Sequence, residues 1–137
     1  MKTALLLSLS LAALAGCSVA ARSPEMYRDD TTKVLAAKSD DIRACYDGVL
    51  KGTPGAGGKV TVKFDVPKDG EQNAGKISNV TVDAANTTAP PAVADCVTKT
   101  IAGAGPLNPP DQRLGQATFA WDFAAPPPPP AMGAPKS

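Results

Sequence analysis

The sequence predicts an α+β fold: a small antiparallel three-stranded sheet with two helices packed on one of its faces. Three observations predict it. The stretch "KVTVKFDV", residues 59–66, alternates strictly between apolar and polar positions, as a half-buried strand does. Two segments, one around Cys45 and one around Cys96, repeat small or apolar residues at i, i+3, i+4, i+7 and i+8, the stripe of an amphipathic helix. "QATFAWDF", residues 116–123, alternates again, with Phe119, Trp121 and Phe123 on one side.

Taken from the N-terminus, the chain opens with Lys2 and then "ALLLSLSLAALA". That run falls short of the roughly 20 residues a membrane-spanning helix needs. A basic residue, a short apolar core and small residues behind it read as an export signal over residues 1–16. The signal ends in Leu14-Ala15-Gly16-Cys17, which resembles the bacterial lipobox. There Cys17 would receive a thioether-linked diacylglyceride, with acyl chains such as palmitate, and become the first residue of the mature chain. Each methylene buried in lipid contributes about 0.8 kcal/mol, so several chains hold such a protein firmly at the membrane. Ser18 stands where inner-membrane retention typically uses Asp, so the resemblance implies the outer membrane.

Residues 17–28, "CSVAARSPEMYR", read as a lipidated tether, and the domain is expected over 29–124. From Asp29 the pattern turns helical, with Ile42, Cys45, Tyr46, Val49 and Leu50 on one stripe and Val34 and Leu35 upstream of it. Ser39 either caps a second helix or lies within one long one. Gly52 and Pro54 end the helix. The strand at 59–66 follows, then "PKDGEQNAG", a loop holding a "DG" turn signal. A second strand, "KISNVTVD" at 76–83, has Ile77 out of phase with Val80 and Val82. A β-bulge near Ser78-Asn79 would bring both sets to one face. In "TTAPPAVADCVTKTIAG", Thr87 or Thr88 is the candidate cap, the prolines suit the first turn, and Gly103 suits the end. The last strand must bury its aromatics, and the helices are the surface available to it. Residues 125–137, with five consecutive prolines, read as an extended, disordered tail.

The chemistry-bearing residues exclude several function classes. The chain has no histidine, the side chain most used for general acid–base work. The acidic pairs Asp29-Asp30 and Asp40-Asp41 are sequence neighbours, which do not face one another on a helix. "DVPKDGE" lacks the alternating oxygen ligands and closing Glu of a calcium loop. "GTPGAGG" lacks the Lys-Ser/Thr of a phosphate loop. No zinc-ligand set exists, so neither metal nor cofactor is expected. The net charge of +1 falls to zero once residues 1–16, which hold one lysine and no acid, are removed. The charges are scattered, which gives no footprint for nucleic acid. A non-catalytic protein is the expectation.

Cys45 and Cys96 each lie in the apolar stripe of their own helix. In an oxidising compartment they would join, closing a loop worth about 4 kcal/mol in the chain-entropy model. The alternative is a pair of ordinary buried thiols.

Together "IRACYDGVLK", "GKVTVKFDV", "VTVD", "VADCVTKTI" and "ATFAWDF" resemble the AgmX/PglI-type domain. This is a TonB C-terminal-like module of envelope proteins in myxobacteria and relatives. Ile42, Cys45 and Tyr46 match its first helix, Gly58, Val60, Val62 and Phe64 its first strand, and Val93, Cys96 and Val97 its second helix. The resemblance spans about residues 30–124. It implies the order helix, strand, strand, helix, strand, and a domain that captures a protein or peptide of the envelope by adding it to the sheet as a strand. Thr118, Phe119, Ala120 and Trp121 are then the candidate edge. The competing expectation is a passive structural subunit of an envelope assembly such as a motility or secretion machine.

Overall fold

A computed structural model describes residues 21–125 and residue 127. The expected signal at 1–16, the lipidation site Cys17 and nearly all of the proline-rich tail lie outside the described residues. Helix α1 spans Pro24–Ala36, α2 Ser39–Gly52 and α3 Pro91–Ile101, while strands β1, β2 and β3 span Gly58–Val66, Ser78–Val82 and Gly115–Phe123. A single 3₁₀ turn, Ala84–Asn86, follows β2. The α+β class holds; among the described residues three helices cover the sheet, the stretch left open as one helix or two being two.

The first turn of α1 comes from residues 24–28, expected to be tether, and the rest of it from the stretch expected to be helical from Asp29. Ser23 accepts the Met26 N–H on its hydroxyl (3.3 Å), and Pro24 takes the first helical position, where its missing N–H costs nothing. Tyr27, Thr31 and Leu35 then fall on one face, and Thr31 and Leu35 are buried. The chain breaks once, at Ala37-Lys38, so the region holds two helices. Ser39 caps neither by the usual route. Its hydroxyl donates to the Ala36 carbonyl (2.6 Å), satisfying the last turn of α1.

The sheet order is β2-β1-β3, antiparallel throughout. All nine residues of β3 pair with β1 in unbroken register, from Gly58 opposite Phe123 to Val66 opposite Gly115. Against β2 the register shifts between Lys63, opposite Thr81, and Asp65, opposite Ser78. Asn79 is the extra residue, at φ 49°, a left-handed conformation that Asn tolerates better than most residues. This is the expected bulge, and it leaves Ile77 2 % exposed in the core.

Val60, Val62, Phe64 and Val66 stand on the helical face and are all but sealed from solvent. They pack with Leu35 of α1, Ile42 and Tyr46 of α2, and Val93, Val97 and Ile101 of α3. Each such burial contributes about 1.5–3 kcal/mol. The Tyr46 hydroxyl reaches the Ala56 carbonyl (2.6 Å), so the one polar atom it brings inward is satisfied. A disulfide between Cys45 and Cys96, with Cα atoms 5.6 Å apart, ties α2 to α3.

Thr87 and Thr88 do not cap α3. Their hydroxyls accept from Thr61 N (3.0 Å) and Lys59 N (2.9 Å). Those two N–H groups lie past the end of the short β2 and have no strand partner there. Gly58, at φ 123°, opens β1 directly beneath Ala89, where a Cβ would come within 2.9 Å of its backbone N. Only glycine fits that passage.

Candidate strand-addition groove beside β3

The backbone of β1 shows which way each residue of β3 faces. Lys59 and Thr61 accept from Thr88 N and Asp83 N (both 2.8 Å), on the β2 side of the strand. Hydrogen bonding alternates along an antiparallel pair, so Gly58, Val60, Val62, Phe64 and Val66 turn toward β3. Their partners, Phe123, Trp121, Phe119, Ala117 and Gly115, therefore direct their backbone groups at β1. Gln116, Thr118, Ala120 and Asp122 turn theirs outward, to an edge with no further strand among the described residues.

This sorts the four expected edge residues into two pairs. Thr118 and Ala120 offer backbone donors and acceptors to an incoming strand. Phe119 and Trp121 do not; they contribute side chains. Their rings stand on the helical face, half-buried, with Phe119 6.0 Å from the Phe64 ring centroid and 6.2 Å from that of Trp121. The alternation predicts that these rings bury against the helices, and they do so in part. At an edge strand the neighbouring layer covers the rings from one side only, and the other side stays open.

That neighbouring layer is α1, and a groove runs between it and β3. One half, about 380 Å³, lies among Tyr27, Arg28, Thr31, Gly115, Thr118 and Phe119. The other half, about 210 Å³, lies among Thr32, Leu35, Ala36, Phe119, Ala120 and Trp121. Phe119 is common to both. At Gly115 the strand passes directly against α1, since a Cβ there would overlap the Tyr27 ring. Burial pushes the Tyr27 phenol pKa up; the Asp111 carboxylate adds to this and Arg22 opposes it.

One end of the groove is bridged. Arg22 N donates to Asp111 Oδ2 (3.1 Å) and Arg22 Nη1 to the Pro109 carbonyl (3.0 Å). The second guanidinium nitrogen pairs with Asp30 of α1. The segment before α1 is thereby strapped to the loop before β3.

Of the α1 wall, Leu35 lies on the stripe the sequence predicts, while Tyr27 and Arg28 in the first two turns fall in the expected tether. The signal was present: Ser23-Pro24-Glu25 is a cap, a first-turn proline and a first-turn acid in order. The Glu25 backbone N–H, with the Ser23 hydroxyl behind it, holds the Glu25 carboxyl below its ordinary range. No family model, curated protein or solved structure matches the chain.

Proposed function

We propose that this protein is a non-catalytic lipoprotein of the bacterial outer membrane, anchored through Cys17 and facing the periplasm. Its domain binds an envelope protein or peptide by accepting an extended segment as a fourth strand beside β3. The observation that carries the reading is the free edge of β3. It is nine residues long, regular, without proline, and flanked by the open groove between α1 and β3. An added strand gains main-chain hydrogen bonds at Gln116, Thr118, Ala120 and Asp122 and places alternate side chains against Phe119, Trp121 and Leu35. The lipobox resemblance at Leu14–Cys17 and the TonB-like sequence pattern support the same reading from the sequence side.

The test uses Ala120→Pro in the lipidated protein. Proline at an outward position removes an edge donor and blocks the approach of a strand, yet breaks no bond to β1. The variant should stay folded and lose the envelope partner that co-purifies with the parent protein. Unchanged co-purification would count against strand addition.

A further inference from the structure

Resting on that strand-addition reading, we propose that the groove takes the free C-terminal end of its partner, with the terminal carboxylate seated at the bridged end by Arg28 and Arg113. Three observations carry this. The first is shape. Arg22, held to Asp111 and Pro109, closes the groove where β3 begins. A strand added antiparallel to β3 runs toward that end with its own C-terminus leading. A chain that stops there fits; one that continues meets the strap.

The second is charge. Arg28 and Arg113 line this end, are exposed, and form no ion pair among the described residues. The acid lining the same end, Asp111, is 5 % exposed and already accepts from Gln112 N (2.6 Å) and Arg22 N (3.1 Å). Glu25, one turn before Arg28, is exposed and forms no ion pair with it among the described residues.

The third is an unfilled need for acceptors. The Arg22 side chain is 10 % exposed and its Nε is buried without a partner. The Tyr27 hydroxyl beside it is buried without a partner as well, and the guanidinium lies 5.7 Å from the Tyr27 ring centroid. Buried donors without acceptors are rare, and each calls for a reason. This end of the groove therefore has donors in excess and its one acid engaged. A carboxylate, with two oxygens and no proton to give, is the complementary group.

Random hexapeptides attached through their N-termini supply the test, presented once with a free C-terminal carboxylate and once amidated. Binding to the disulfide-intact protein is read by the emission of Trp121, its single tryptophan. Free-acid peptides should bind at least tenfold more tightly than their amides. Arg28→Ala with Arg113→Ala should erase that preference with circular dichroism unchanged. Equal binding of acid and amide would overturn the carboxylate site and leave strand addition standing. Amidated peptides ending in Asp or Glu that match the free acids would overturn the claim of a chain terminus. If neither form binds and Ala120→Pro leaves partner co-purification intact, both readings fall. Dimerisation through β3 that free-acid peptides do not displace would assign the groove to a second copy and overturn the proposal.

Discussion

The two edges of this sheet are built in opposite ways. The β2 edge is five residues long and interrupted by a bulge at Asn79, and its Val80 and Val82 are packed or exposed singly. Short length and a bulge are the devices by which proteins blunt an exposed edge. The β3 edge has neither: nine residues in continuous register, with no proline and no lysine. An unguarded edge is a hazard unless it is kept for use. The contrast lies within one sheet of one chain, so composition or compartment does not explain it. The difference teaches that, among the described residues, β3 and not β2 is the long, regular edge left without a neighbouring strand.

The largest effect that would break the comparison comes from proline placed on β3. Phe119→Pro should cost about 3 kcal/mol, since it loses a half-buried ring and orphans a β1 carbonyl. Ala120→Pro, one residue on, should cost less than about 1 kcal/mol. Chemical denaturation measures both, and equal losses would mean that the inward and outward assignments are wrong. Next in size is Gly115→Ala. A methyl there overlaps the Tyr27 ring, so a loss of about 1–3 kcal/mol is expected. The double variant with Tyr27→Ala should lose less than the two single changes added together.

Asn79→Val tests the guarded edge. A β-branched residue held at positive φ should cost about 1–2 kcal/mol, where Asn79→Gly changes stability by a few tenths. The smallest effect is that of Tyr27→Phe. Removing a buried hydroxyl with no partner should leave stability at neutral pH within about 0.5 kcal/mol or raise it slightly. The sign of its pH dependence follows from the raised phenol pKa. The folded state holds the proton past the pH at which the unfolded chain releases it, so the parent loses stability as pH rises above about 10. Tyr27→Phe should lack that part of the alkaline loss, as thermal melts between pH 9 and 11 would show.

How much of this was legible in the sequence varied with what decides each feature. Period-two alternation sets which face a side chain takes, so β1, β3 and even the bulge at Asn79 could be read from residue order. The half-burial of Phe119 and Trp121 could not. It depends on β3 lying at an edge, which strand order decides. The outward pointing of Thr118 and Ala120 likewise depends on the register with β1, a pairing of residues far apart in the chain. Thr87 and Thr88 were read as helix caps because their type suits a cap, while the structure uses them for orphan N–H groups on β1. The first turn of α1 was hidden by its polar exterior. Tyr27, Thr31, Val34 and Leu35 are the core-facing residues of α1, and Tyr27 alone lies in the first turn, which is thin evidence until Ser23-Pro24 is read as a start.

The central claim, that β3 is an edge kept for a strand, is tested most directly by amide hydrogen exchange along β3. It would be followed in the purified protein and again in its complex from native envelope membranes. In the free protein Gln116, Thr118, Ala120 and Asp122 should exchange fast, while Ala117, Phe119 and Trp121 are protected by β1. In the complex the four outward amides should slow by at least tenfold, with the inward ones unchanged. Outward amides already protected in the free protein, or protection on binding that falls elsewhere and leaves these four fast, would contradict the account.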